Sequence, residues 1–215
     1  MTAELTPTFI DQAGFLDLAR ARRATRSFSN RPVSMAELEL LVEAARWAPS
    51  PSNRQPWKFL SIADAGLTHQ LRDAVAAGCQ KLLEKRAGSD ARAIEDYLRN
   101  FTFFTAAPVL FAVLVRRTHN RLAETDASDI EVEGATMAAG MAMQNLMLAA
   151  VANGMVACPM SGPMIARPDL EEILGVSSPW RLMALIPVGW PGPDQPPPPE
   201  RKRHDLIWTH VPAKE

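Results

Sequence analysis

The sequence predicts an α+β fold in which helices outnumber strands, and two patterns carry that expectation. Helical periodicity recurs along most of the chain, whereas only the short runs 58–63, 109–115 and 182–188 have the apolar make-up of strands. At 215 residues the chain can bury a substantial core and is most simply one domain, 1–215, because no low-complexity linker divides it.

Residues 9–24 read as an amphipathic helix, with Phe15, Leu16 and Ala19 on one side and arginines toward its end. Ser34 followed by Glu37 has the spacing of a capping box. It opens a helix to about Arg46, along which Leu38, Leu41, Val42 and Ala45 recur at helical spacing until Pro49 and Pro51 end it. A strand over 58–63 precedes a helix over 67–85, a turn at Gly88, Ser89 and Asp90, and a helix over 90–104 with Ile94, Tyr97, Leu98 and Phe101 on one face. The run 109–115 alternates little and is β-branched at several positions, the mark of a buried central strand. A long helix over 131–153 ends at Gly154, a residue suited to a left-handed cap. A short helix over 169–174 and a third buried strand over 182–188 complete the body. Residues 190–199 are too rich in proline to pair inside a sheet and predict an extended, polyproline-like arm within a terminal segment of about 190–215. Arg201, Lys202, Arg203 and then Leu206, Ile207 and Trp208 follow it, so the arm is expected to dock on a surface.

Apolar residues make up 47% of the chain, charged ones 22%, and the formal net charge is −1. That balance describes a soluble globular protein with no general attraction to nucleic acid. Residues 1–11 contain Glu4 and Asp11 but no basic residue, unlike a secretory leader, so a cytoplasmic location is expected. Cys79 and Cys158 are far apart and no paired Cys or His spacing suggests zinc; buried free thiols are expected. The apolar stretch 135–152 approaches the length of a membrane span. Its Ala, Gly and Met content, with Gln144 and Asn145 near the middle, points instead to a helix buried all round in a core or a subunit interface.

The chemistry-bearing features begin with the segment 48–57, where Pro49, Pro51 and Pro56 stiffen a loop carrying Ser50, Ser52, Asn53 and Gln55. These side chains offer donors and acceptors suited to a planar ligand with a polar edge. Two basic clusters, Arg22 and Arg23 with Arg26, and Arg201 to Arg203, suit a phosphate, because guanidinium forks bind its oxygens through charge-assisted hydrogen bonds. No G-x-G-x-x-G or Walker sequence occurs, so any phosphate is held by side chains, and no recognisable nucleophile–base arrangement points to hydrolysis.

In order along the chain, these residues resemble the FMN-dependent nitroreductases. The likeness runs through Arg22-Arg23-Ala24-Thr25-Arg26 with Phe28, Pro32-Val33, Ala48-Pro49-Ser50 to Asn53, and Gln55-Pro56-Trp57. It continues through Gln144-Asn145-Leu146, Gly154, Cys158-Pro159-Met160-Ser161-Gly162, Pro187-Val188-Gly189 and Arg201-Lys202-Arg203. The resemblance implies a mostly antiparallel central sheet flanked by helices, a homodimer with the long helix at its interface, and a C-terminal arm docking on the partner subunit. It implies FMN, with Arg22, Arg23, Arg201 and Arg203 at the phosphate and Arg26 near the pyrimidine side, where a cation would stabilise the anionic reduced flavin. Pro159, Ser161 and Gly162 would lie over the isoalloxazine, with a backbone N–H toward N5. Ser50, Pro51 and Asn53 would reach the flavin of the other subunit. Ala24, which replaces a common serine, and Pro49, Gln55, Met141 and Met160 complete the cofactor-side set.

The activity implied is hydride transfer from NADH or NADPH, then reduction of an aromatic acceptor such as a nitroaromatic or quinone, with no catalytic acid or base required of the protein. The rival readings are reductive dehalogenation or heterocycle dehydrogenation on the same scaffold, or a non-enzymatic FMN store or sensor. Oxygen-dependent flavin cleavage is disfavoured by Ser52-Asn53-Arg54. Segment 77–104, a wall of the acceptor pocket in this family, has no match here.

Overall fold

In the computed structural model, which describes residues 12–85, 91–116, 128–195, 197–203 and 206–211, an antiparallel sheet organises the chain. Its strands are β1 (Trp57–Ile62), β2 (Val109–Arg116), β3 (Val156–Ala157) and β4 (Trp180–Gly189), in the spatial order β1-β2-β4-β3. The register of β2 on β4 runs from Val109 opposite Val188 to Arg116 opposite Trp180. It shifts where Val113 faces Ala184 and Leu114 faces Leu182, leaving Met183 as a bulge.

Helices cover both faces of this sheet, and the two-residue period of the strands sorts their side chains between them. On one side Val109, Phe111, Val113, Ala184, Ile186 and Val188 pack against α2 (Met35–Arg46) and α5 (Ser128–Ala152), through Leu41, Ala45, Ala142, Leu146 and Ala150. On the other, Leu110, Ala112, Leu114, Leu182 and Leu185 meet α3 (Ala65–Glu84), α4 (Ala91–Leu98) and α6 (Arg167–Ile173), through Leu71, Val75, Leu98 and Leu170. Burial on both sides is why β2 reads as an almost unbroken apolar run, although its pairing is antiparallel rather than parallel.

Local signals set the helix ends. Ser34 Oγ accepts from Glu37 N while Ser34 N donates to Glu37 Oε2 at 2.6 Å, the reciprocal capping box expected for α2. Asp64 caps α3 by accepting from Leu67 N. Gly154 takes φ +73° just after α5. Where a helix over 90–104 is expected, α4 stops at Leu98 and two 3₁₀ turns, Arg99–Phe101 and Phe103–Ala106, carry the chain to β2. The turn at Gly88, Ser89 and Asp90 and the start of the first helix lie outside the described residues; α1 is described over Gln12–Ala21. The two-residue strand β3 is not anticipated by the pattern of the sequence.

Within one chain the long helix is buried on one side only, so the core by itself does not provide the all-round burial expected for it in a core or a subunit interface. Ala138, Ala139, Ala142, Leu146 and Ala150 are buried, but Ile130, Met137 and Met141 are exposed on the opposite side. Small residues let α5 approach α2 and the sheet closely, and they leave an apolar face on the outside. By length and composition Asp129–Ala152 is apolar enough to cross a membrane, but Glu133 and Gln144 are also exposed on it.

Candidate functional site

Between α2 and β1 the chain makes a 3₁₀ turn, Pro51–Asn53, and places Ser52 (φ 52°), Asn53 (φ 51°) and Gln55 (φ 46°) in the left-handed region. For residues with a Cβ this costs roughly 1–2 kcal/mol each, so the surroundings must impose the shape. Part of the loop's own polarity does so. Gln55 N donates to Ser50 Oγ at 2.9 Å, Asn53 N to Ser50 O at 3.0 Å, and Gln55 Nε2 to Asn53 Oδ1 at 3.2 Å. The rest comes from α5, where Glu131 Oε1 accepts from Arg54 Nη1 at 3.2 Å and Pro51 rests beside Gly134. An apolar groove of about 430 Å³ separates loop and helix, lined by Pro51, Arg54, Pro56, Ile130 and Met137. Ser50 and Asn53 are thus used internally as acceptors, leaving the serine hydroxyl hydrogen and the asparagine amide as donors. Asn145 ties α5 to the end of α2 by donating to Ala44 O at 3.2 Å.

A second assembly joins segments far apart in sequence. Ala24 forms a parallel bridge with Ala157, and Thr25 N donates to Ala157 O at 3.4 Å, so Arg22 to Arg26 lie alongside β3 and the residues that follow it. Burial raises the Cys158 thiol pKa above its ordinary value, and the charges of Arg26 and Arg22 pull it partly back. Both guanidiniums are therefore close enough to act on this segment, and neither pairs with a carboxylate among the described residues. Beyond Cys158, Pro159 and Ser161 are exposed. Met160 is buried, its backbone exchanging hydrogen bonds with Leu185 at 2.8 and 3.0 Å, so it offers little to a ligand. No described residue accepts from the Ser161 N–H.

Phe101 lies directly against Gly162, where even a Cβ would run into its ring. Arg26 stands over the ring of Phe103 at 5.5 Å, and Tyr97 meets Phe101 edge-on with centroids 5.1 Å apart. A polar cleft of about 520 Å³ opens beside Arg26, lined also by Ala24, Ser27, Pro193, Asp194 and Gln195. The start of the proline-rich arm forms its far wall. Ser29 N donates to Trp190 O at 2.9 Å and Gly192 N to Ser27 O at 3.0 Å, while Gln195 Nε2 bridges Ser27 O and Gly192 O.

Two groups of sequence-predicted residues are thus built and a third is displayed. Arg22, Arg23, Ala24 and Arg26 come together with Pro159, Ser161 and Gly162, whereas no described hydrogen bond or ion pair links Ser50, Pro51, Asn53 or Gln55 to Arg22, Arg26 or Ser161. Pro49 is exposed beside that loop, and Met141 sits on the open face of α5. Arg201 and Arg203 are exposed, as are Leu206, Ile207 and Trp208 at 65–70%. Sequence reasoning missed the brace from Phe101 and Phe103, because a contact across the fold leaves no local pattern. The donor set fits an anionic planar group such as FMN: the guanidiniums of Arg22 and Arg26, neither ion-paired among the described residues, an available amide at Ser161, and a glycine that keeps the surface low.

A sequence model of the Nitroreductase family matches residues 19–190. The mouse (Mus musculus) protein named iodotyrosine deiodinase 1 is 28% identical over 208 residues, 92% of this chain and 69% of that protein. The iodotyrosine deiodinase of Thermotoga neapolitana is 26% identical over 195 residues, 89% of this chain and 94% of that one. Among solved structures, a BluB-like flavoprotein from Clostridium difficile 630 superposes with a TM-score of 0.81 at 24% identity, covering 92% of this chain and 98% of its own. An oxidized iodotyrosine deiodinase bound to FMN and 3-iodo-L-tyrosine gives 0.70 at 24% identity, covering 91% and 99%. These likenesses establish the α+β fold.

Proposed function

The chain belongs to the nitroreductase family, and we propose that it is an FMN-dependent oxidoreductase that draws on NADH or NADPH and reduces an aromatic acceptor, a nitroaromatic or a quinone, in ping-pong order. The single observation that carries this reading is the parallel bridge of Ala24 to Ala157, which sets Arg22 and Arg26 beside the exposed Pro159 and Ser161. FMN, when bound, would supply the two-electron chemistry. The protein's own part is to hold it. Arg22 and Arg23, with Arg201 and Arg203 from the arm, bind phosphate through guanidinium forks. Ser161 N–H donates to the ring, and Arg26 places a fixed positive charge where reduction leaves negative charge.

Two copies are required in this proposal. No described hydrogen bond or ion pair joins Ser50, Pro51 and Asn53 to the Arg22 assembly within one chain, and they complete the site of a second copy whose α5 packs on the exposed Ile130, Met137 and Met141. The apolar end of the arm, Leu206, Ile207 and Trp208, docks on that partner. The assembly is cytoplasmic, with no nucleic-acid or membrane partner.

A second reading, reductive dehalogenation, is favoured by the relatives named iodotyrosine deiodinases. In it an aromatic carbon–halogen bond is exchanged for carbon–hydrogen, with two electrons and a proton taken up and halide released. Reconstitution with FMN, followed by NAD(P)H oxidation assays with a nitroaromatic, a quinone and a halophenol, tests both. Turnover of the first two supports the main reading, and halide release supports the second. A protein that binds FMN but turns over nothing is a flavin store, and one that fails to bind FMN overturns the proposal.

A further inference from the structure

Resting on the FMN reading, we infer that Phe101 and Phe103 are positioning residues which hold the two flavin-facing elements, the Gly162 backbone and the Arg26 guanidinium, and thereby set the reduction potential of the bound cofactor. Arg26 lies near the start of the chain and Gly162 far along it, yet each rests on a ring from the same 3₁₀ connector between α4 and β2. Phe101 and Phe103 are two residues apart and both half-buried, so the connector behaves as a single shelf. The Phe101 ring occupies the space a Cβ on Gly162 would need, which fixes how far that backbone can shift. The Phe103 ring lies under the Arg26 cation at 5.5 Å, within the range of an attractive cation–π contact.

An arginine side chain has several rotatable bonds and loses much freedom when it must hold its charge at one point. A ring beneath the guanidinium restricts it before the ligand arrives, and a preorganised charge stabilises a developing anion better than one that must be gathered. This assigns a role to residues of segment 77–104, which has no match in the family's pattern. Tyr97, 66% exposed and edge-on to Phe101, is the outer end of the shelf.

The experiment compares wild type, Phe103→Leu, Phe103→Tyr, Arg26→Gln and the Phe103→Leu/Arg26→Gln double variant, each reconstituted with FMN. FMN affinity is read by flavin fluorescence and the midpoint potential by equilibration with reference dyes. Phe103→Leu is expected to weaken FMN binding about two- to tenfold, the range a cation–π contact supports, and to move the potential to more negative values. Phe103→Tyr, which keeps a ring face, stays at wild-type values. In the Arg26→Gln background Phe103→Leu changes neither quantity further, because its effect runs through that guanidinium. If the leucine variant does not fold, Phe103→Met takes its place. An unchanged potential in Phe103→Leu, or an equal shift with and without Arg26, overturns the inference while leaving the FMN reading intact. Absence of FMN from the wild-type protein overturns both.

Discussion

Replacing Arg54 by alanine tests how the loop between α2 and β1 is held. The guanidinium reaches Glu131 at 3.2 Å, with the glutamate side chain 14% exposed and the arginine 33%. A fully exposed pair contributes about 0.2–1 kcal/mol, and stripping one partner from a fully buried pair costs about 3–5 kcal/mol. This pair lies between those limits and nearer the first, because Arg54 keeps access to water. The loss expected is about 1–2 kcal/mol. It does not grow to the sum of the left-handed penalties at Ser52, Asn53 and Gln55, since the bonds to Ser50 remain. For a chain of this size that corresponds to a fall in melting temperature of about 2–8 °C, from about 2–4 °C per kcal/mol. Urea denaturation at one fixed protein concentration measures it, the concentration being held because self-association shifts apparent stability. The charge-exchanged double variant Arg54→Glu/Glu131→Arg should recover more than half of the loss. A double variant no better than the sum of its single changes, or an Arg54→Ala protein within about 0.3 kcal/mol of wild type, refutes the idea that this pair holds the loop.

The α2 cap should give stability a sensitivity to acid. The Ser34 N–H, then the Ser34 hydroxyl, and more weakly Arg31 hold the Glu37 carboxyl below its ordinary pKa. A group depressed in the folded state contributes fully above its unfolded pKa, about 4.3, and loses that contribution as pH falls through the folded value. Glu37→Gln should therefore be less stable than wild type at neutral pH, with the gap closing in acid; a gap that widens on acidification contradicts this. At the root of the arm, a Cβ at position 192 would strike Ser27, so Gly192→Ala must shift the hydrogen bond to Ser27 O. About 1–3 kcal/mol of destabilisation and faster proteolytic cleavage after residue 195 are expected, and a cleavage rate equal to wild type would show that the arm is not pinned there.

How much of this was legible follows from the range of each interaction. The capping box at Ser34 and Glu37, the stop at Pro49 and the left-handed Gly154 are encoded within a few residues, and the structure has all three. The central position of β2 was legible because burial on both faces leaves an apolar run no surface strand would carry. The helix expected through residue 104 breaks at Leu98, and Phe101, one of the residues that suggested its apolar face, turns toward Gly162 instead. The two residues of β3 are too few for a pattern, yet they dock Ala24 and so form the Arg22 assembly. The exposed side of α5 was hidden by composition: alanine, glycine and methionine suit a buried environment without saying which molecule provides it.

The sheet's assignment of alternate side chains to two separate cores has a consequence for how such a protein can diversify. Leu41 and Leu146 lie in one compartment and Leu71 and Leu170 in the other, with the backbone of β2 and β4 as a bulkhead between them. A volume change in one compartment is felt first by the side chains packed within it, and the strand backbone stands between them and the other compartment. The side that carries α4 and the aromatic shelf can therefore exchange residues and take on new ligands while the side that carries α2 and α5 keeps its shape. New chemistry and old architecture occupy different rooms of the same chain.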